Sequence, residues 1–389
     1  MTAMLFATVA FATDAMLPAF PFIAAELAPD NPNRVQLLVS TFMLGLGVGT
    51  FIAGPLADAY GRKSVVIGGA GLFILGSLVS YAAPTLEVLL LGRVLQGLGA
   101  AGPRIGPLAM MRDLFEGRRM AQLSSIIMAV FMLFPAVAPL LGSIITNFAG
   151  WHAIFLAFAI FSAIGALWMG LRQPETLPVE KRRPIKVAPL IAATREIFAH
   201  RMVMLYTLAL TLGFSELLVI ISSIQPVYDQ YFDKAAEFPI WFALGALVAA
   251  SGTVVNAALV MRLGMRRLAY AAFGSKVVLT LLILGLFQFA ALSETMRFVL
   301  WFVWSTSVFF MAGLIFGNLN ALALQPLGHI AGTAASLLTG LSTVGAALLA
   351  IPTGWAFDGT PVPIMIGNFL AATVAYFIMR QTIESQETA

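Results

Sequence analysis

Five ionisable side chains, Asp14, Arg93, Arg104, Glu216 and Lys276, stand inside long apolar runs of this chain. A charge placed in hydrocarbon costs about 2.5–3.5 kcal/mol or more, so each is a candidate for chemistry and not for decoration. Asp14 lies four residues before Pro18, which has no N–H to give the carbonyl of Asp14. Pro21 does the same to Leu17. A helix at this place should bend at the carboxylate and open space beside it. A carboxylate so placed is a proton-binding group, and the other reading is a permanent ion pair with an arginine.

Arg93 and Arg104 are eleven residues apart. On a helix that separation returns to within about 20° and spans about 16 Å, so both arginines face one way. Gln96, Gly97 and Ala100 lie near the same stripe. Such a stripe belongs against protein or a water-filled cavity and not against lipid. Arg104 has snorkelling to the interface as its alternative. Arg93 is expected to pair with a buried carboxylate. Glu216, with Gly213 three residues before it, reads as a second proton site, an arginine partner or a seat for a cationic group. Lys276, two turns into its helix, is expected to snorkel. Asn256, Asn318, Asn320 and Gln325 complete the polar groups of the second half, and amides of this kind commonly join helices. Trp241, Trp301 and Trp304 suit interface anchors or cavity walls.

The elements that carry these groups follow from composition. Of 389 residues 60% are hydrophobic and 10% charged, where a soluble domain carries about 25% charged. Runs of 18 or more apolar residues recur, and each reads as a transmembrane helix; a barrel would show short alternating segments instead. Twelve spans are expected, near 3–25, 36–57, 64–83, 86–111, 120–146, 152–171, 202–225, 239–261, 268–290, 296–323, 331–355 and 361–381. The first has no basic leader or small-residue cleavage site and reads as a retained helix. There is no cysteine, and three scattered histidines offer no metal spacing, so no cofactor is expected. If the turn with Arg62 and Lys63 is cytoplasmic, alternate loops collect most of the basic residues, including Arg112, Arg118, Arg119 and the run from Lys181 to Lys186. Only Arg34, Lys234 and Arg297 remain outside, which puts both termini in the cytoplasm and accounts for the net charge of +4 without nucleic acid.

The longest polar stretch, 172–201, has prolines at 174, 178, 184 and 189 and divides the spans six and six. It is read as a cytoplasmic linker between bundles 1–171 and 202–389. A faint repeat agrees: Gly54-x-Leu56-x-x-x-x-Gly61-x-Lys63 recurs as Ala257-x-Leu259-x-x-x-x-Gly264-x-Arg266, a shift of 203 that also relates Gly142 to Gly345.

Between the second and third spans lies Gly54-Pro-Leu-Ala-Asp-Ala-Tyr-Gly-Arg-Lys63, a tight charged turn wedged between membrane-length runs. It resembles the signature loop of major facilitator superfamily transporters. Thr13-Asp-Ala-Met-Leu-Pro-Ala-Phe-Pro21 is similar to the first-helix element of the bicyclomycin- and chloramphenicol-resistance branch of drug:proton antiporters. Gly92-Arg-Val-Leu-Gln-Gly-Leu-Gly-Ala100 resembles the superfamily's fourth-helix motif, and Met111-Arg-Asp113 and Gly150-Trp-His152 also look like that branch. The fifth-helix antiporter motif is present in altered form, Ala138-Pro-Leu-Leu-Gly142, with Ser143 in place of a glycine. By resemblance, Asp14 matches the family's first-helix carboxylate, Arg93 its proton-relay arginine, and Asp58 with Arg62 its cytoplasmic gate. Asp58 ends a helix where the dipole disfavours an acid, so it needs a cation nearby.

The sequence thus leads to an all-α membrane protein of twelve helices in two six-helix bundles, a transporter and not an enzyme, since no buried His–carboxylate or Ser–His set exists. The expected reaction is proton-coupled export of a small amphipathic molecule by alternating access. Proton coupling falls to Asp14, Arg93 and Glu216; substrate contact to Asp14, Gln96, Arg104, Glu216, Asn256 and Asn318; gating to Gly54, Asp58, Gly61, Arg62, Lys63, Pro139 and Gly142. The partners are protons, a small molecule and lipid, in a monomer of the inner membrane. The competing readings are an organic-anion symporter or exchanger built on Arg93 and Arg104, and a non-transporting receptor or scaffold.

Overall fold

A computed structural model describes residues 1–115, 117–182, 184 and 187–387. Arg183, Ile185 and Lys186 of the expected linker lie outside the described residues. Everything regular among the described residues is helical, as a bilayer requires of a chain whose backbone groups must be satisfied within each segment. The first span is broken into α1 (Thr2–Asp14), a short 3-10 turn (Leu17–Ala19) and α2 (Phe20–Leu27). Then come α3 (Leu37–Tyr60), α4 (Arg62–Tyr81), α5 (Leu86–Leu114), α6 (Gly117–Ala149) and α7 (His152–Arg172). After α8 (Val187–Ala199) follow α9 (Arg201–Pro226), α10 (Phe238–Leu263), α11 (Met265–Phe289), α12 (Glu294–Leu324), α13 (Ala331–Trp355) and α14 (Val362–Glu387). Nine helical stretches among the described residues are long and apolar enough to cross a bilayer, and one of them, Glu294–Trp355, contains two helices.

The chain forms two compact units, Met1–Ile191 and Ala192–Ala389. Their boundary falls within α8, a helix that proline and charge content hide in the sequence. Ala193 and Ile197, one turn apart on α8, are buried, and Ile197 joins the core of the second unit. His329 Nε2 meets Glu196 Oε1 at 2.9 Å, which also ties α8 to that unit.

The two units share one packing scheme. In the first, α1 packs on α5, α6 and α7, α3 and α4 flank α5, and α4 touches α7. In the second, α9 packs on α12, α13 and α14, α10 and α11 flank α12, and α11 touches α14. The repeat seen in sequence extends to the backbone: Gly61 and Gly264 both have positive φ, 100° and 76°, and each opens a helix. A side chain is strained in that region, which is why glycine stands at both turns.

Glycines bring α3, α4 and α5 into backbone contact. A Cβ on Gly97 would come within 2.0 Å of the Phe42 carbonyl oxygen of α3, and one on Gly99 within 2.3 Å of the Phe73 nitrogen of α4. This is the close approach that small residues permit where water cannot drive association.

Candidate functional site

Helix α1 stops at Asp14. Pro18 has no N–H for the Asp14 carbonyl, so the α-helical ladder lapses there and resumes only at Phe20. The side chain of Asp14 is 5% exposed, and no described residue forms an ion pair or hydrogen bond with it. One turn before it, Phe11 packs its ring against Phe158 and Phe161 at 5.1 and 5.0 Å. On the other side stands Gly142 of α6: a Cβ there would lie 1.8 Å from the carbonyl oxygen of Ala15. The fifth-helix motif therefore touches the backbone at the break beside Asp14. Helix α6 runs on through Pro135 and Pro139.

Among the described residues Arg93 has no carboxylate partner, contrary to the expectation. It is fully buried on α5. Its Nε donates to the Leu38 carbonyl of α3 at 3.1 Å and its Nη1 to Gln96 Oε1 at 2.7 Å. The guanidinium lies 4.3 Å from the centre of the Phe42 ring. Gln96 passes the network on, donating from Nε2 to Ser77 Oγ of α4 at 2.7 Å. The neutral acceptors and the ring face compensate the charge because α3 crosses α5 at this point, which spacing along α5 alone does not reveal. Nη2 of Arg93 stays unpartnered. Arg104 is half-buried and has no hydrogen bond or ion pair to a described residue. Leu108 and Met111, further along the same stripe of α5, pack with Phe6 of α1.

The signature loop is held by its own unit. Asp58 and Arg62 form an ion pair one turn apart, at 2.5 Å, and Arg62 Nε lies 3.5 Å from Asp113 Oδ2 at the end of α5. This supplies the cation that the dipole argument required for Asp58. Lys63 Nζ donates to the Gly170 carbonyl of α7 at 2.8 Å. The sequence reading missed Glu175. Its carboxylate accepts from the backbone N–H of Arg62 at 2.9 Å and of Lys63 at 3.1 Å, capping the positive end of α4. A Cβ on Gly61 would come within 2.3 Å of Glu175 Oε2, so the glycine also makes room for that acid. Gly54 lies one turn before Asp58 in the last turns of α3.

In the second unit Glu216 on α9 is 3% exposed, and its Oε1 has no hydrogen-bond partner among the described residues. Asn368 of α14, which the sequence did not single out, donates to the Glu216 backbone carbonyl at 3.4 Å. Lys276 does not snorkel: it is fully buried. Its Nζ donates to Ser307 Oγ at 3.0 Å and to the Trp304 carbonyl at 3.4 Å, and it sits 4.3 Å from the centre of the Trp304 ring. Trp304 donates to Thr280 Oγ1 of α11 and stacks on Trp301, so both tryptophans are interior groups. Snorkelling fails because α12 offers the ammonium two oxygens and a ring face in place of water. Asn318 Nδ2 donates to Asn256 Oδ1 at 2.7 Å and ties α12 to α10.

The structure therefore does not gather the expected residues in one place. It brings Asp14 to Gly142, Arg93 to Gln96, Asp58 to Arg62, and Asn256 to Asn318. Asp14 and Arg93 are neither hydrogen-bonded nor paired to one another.

Residues 2–350 match the family model described as Major Facilitator Superfamily. An MFS-type transporter of Bacillus subtilis, YdgK, is 29% identical over 330 residues, covering 84% of this chain and 80% of the relative. A bicyclomycin resistance protein homolog of Haemophilus influenzae is 28% identical, covering 97% of this chain and 94% of its own. The crystal structure of a D-xylose-proton symporter superposes with a TM-score of 0.75 at 13% identity, over 97% of this chain and 95% of its own. A transmembrane bundle with this loop, this fourth-helix network and these relatives is a multi-pass membrane transporter and not an enzyme: the chain belongs to the major facilitator superfamily.

Proposed function

We propose that the protein exports a small amphipathic molecule in exchange for protons. The observation that carries this reading is Asp14, a buried carboxylate without a partner among the described residues at the break of the first span. Holding such a group ionised in a dry interior is costly, and a proton relieves that cost. The names of relatives add support, since the bicyclomycin resistance protein homolog matches over nearly its full length. Protonation of Asp14 and occupation by substrate exclude each other, and alternating access lets the two leave on opposite sides. Gly142, packed on the first-span break, and Pro139 one turn before it on α6 transmit its state to that helix, and Glu216 is a second proton site. We assign Arg93 and Gln96 to positioning α3, α4 and α5, because their polar atoms are largely committed to that network. Gly54, Asp58, Gly61, Arg62 and Lys63 act as the latch, with Glu175 as its cap. In this reading a monomer sits in the inner membrane with both termini cytoplasmic, and the linker spans 172–201.

The test uses purified protein in proteoliposomes with an imposed pH gradient and a panel of drug-like amphipaths. The expected result is uphill transport by the wild type, and by Asp14→Asn only downhill exchange with the gradient ignored. Wild-type uphill rates from Asp14→Asn overturn the assignment. One observation favours a second reading: Arg104 has no partner among the described residues, which suits an anionic substrate. Counterflow with anionic against cationic compounds separates the two.

A further inference from the structure

Glu216 and Lys276 are the two charged side chains in the interior turns of the second unit. The other charges on the elements packed around them stand near helix ends. These are Arg201 on α9, Arg262 on α10, Arg266 and Arg267 on α11, Glu294 and Arg297 on α12, and Arg380, Glu384 and Glu387 on α14, with Asp229 just after α9. Helix α13 carries none. The phenols Tyr270 and Tyr376 are engaged with each other at 2.5 Å, and Tyr206 lies in the second turn of α9 under Arg266.

Helices α9 and α11 meet at Gly213 and Phe273. Gly213 of α9 packs against the Phe273 ring of α11, where a Cβ would come within 3.3 Å of it. One turn further along each helix stand Glu216 and Lys276. They lie within electrostatic reach of one another. Yet no ion pair joins them. The ammonium is held by Ser307, the Trp304 carbonyl and the Trp304 ring, all on α12. Glu216 Oε1 is left without a donor. A purely structural pair would close this gap, because each unpaired buried charge costs several kcal/mol. What Oε1 lacks is one hydrogen, and Lys276 Nζ is the nearby group that can release one.

The geometry points to Glu216 and Lys276 as a proton-sharing pair, a proton-binding site of the second unit in which Lys276 is the positioning and charge-setting partner. This rests on the proton-coupled reading above and adds Lys276, Trp304 and Ser307 to it. In one form the pair is carboxylate and ammonium. In the other, the N–H bond of Nζ is broken and an O–H bond formed on Oε1, giving carboxylic acid and amine. Both forms are net neutral, the condition a low-dielectric interior favours. Loss of the shared proton to solvent leaves a carboxylate beside an amine, with a net charge of −1. Each change alters what lies over the Trp304 ring, so that indole is a built-in reporter.

The experiment is a pH titration of tryptophan emission in the purified full chain, with no substrate and no transport, over about pH 5 to 9. The wild type should show a transition that Trp304→Phe removes. Lys276→Arg should lack it, because a guanidinium does not deprotonate. Glu216→Gln should move its midpoint by about one pH unit or more, a tenfold change in proton affinity. If Glu216→Gln does not fold, Glu216→Asp is read in its place and must also move the midpoint. Asp14→Asn should leave the transition where it was. A midpoint that ignores position 216, or a transition that survives in Lys276→Arg, overturns the pair. If uphill transport fails while this titration stands, the proton-coupled reading fails and the pair survives as a proton site.

Discussion

The two units use the same helix scaffold and spend it differently. At the glycine turn of the first unit, Gly61 opens α4 and the Glu175 carboxylate fills the space beside it. At the matching turn of the second unit, Gly264 opens α11 and nothing lies within 4 Å of where its Cβ would stand. A cleft of about 540 Å³, lined by Arg266, Arg267 and Gln325 among others, takes the place of the acid. The interior charges differ as well. In the first unit Asp14 and Arg93 stand in separate environments, one without a partner among the described residues and one hydrogen-bonded through Nε and Nη1 into α3 and α5. In the second, Glu216 Oε1 has no donor among the described residues, whereas Lys276 is held by Ser307 and the Trp304 carbonyl of α12. The repeat fixes where helices cross and where glycine is needed. It leaves open which side chain supplies the charge at each crossing.

The two units differ most at the paired glycines Gly142 and Gly345. A Cβ at Gly142 meets the Ala15 carbonyl oxygen at 1.8 Å, and backbone cannot step aside as a side chain does. A Cβ at Gly345 meets the Thr211 side chain, its methyl at 2.8 Å. Gly142→Ala should cost about 3 kcal/mol or more, and Gly345→Ala about 1 kcal/mol, read from thermal or denaturant unfolding in detergent. Equal costs would mean the first-span break has no special need for that contact.

A smaller asymmetry is expected at the two glycine turns. Glu175→Gln removes the charged cap from α4 and should cost about 1 kcal/mol, with faster hydrogen exchange at Arg62 and Lys63. Arg266→Gln in the second unit has no such cap to lose and should stay within about 0.5 kcal/mol of the wild type. A cost at Arg266 equal to that at Glu175 would place an anion partner in the second turn too.

The smallest effect belongs to pH at the loop before α10. The Trp241 indole and the Lys234 ammonium both donate to Glu237 and hold its carboxyl below the usual glutamate range. A folded value below the unfolded one means the contribution is full above the unfolded value and is lost as pH falls through the folded one. Trp241 emission should therefore change on acidification below the ordinary glutamate range, and Glu237→Gln should abolish that change. The shift is slight because the pair is open to water.

Much of this was legible in the sequence. Runs of apolar residues mark spans because bilayer thickness fixes helix length, and Pro18 marks the break at Asp14 because an absent N–H acts locally. Charged residues four apart, Asp58 and Arg62, were also within reach of sequence reasoning. Contacts that depend on crossing helices were not. The partners of Arg93 come from α3 and those of Lys276 from α12, so a carboxylate expected for the first and snorkelling for the second both gave way. Glu175 and Asn368 look ordinary in sequence, and only the return of a distant helix makes them ligands of a backbone.

The glycine contacts among α3, α4 and α5 bear on mechanics. Where Gly97 and Gly99 bring main chain against main chain, no side chain remains to change rotamer, and sliding by a fraction of an ångström meets hard repulsion. These three helices are therefore a stiff frame. Against it α1, with its interrupted hydrogen-bond ladder at Asp14, is the compliant member, joined to α6 by backbone approach at Gly142. Deformation within the first unit should concentrate in α1 and α6, so a spectroscopic label on α4 reports rigid-body displacement of the frame, whereas one on α6 also registers bending.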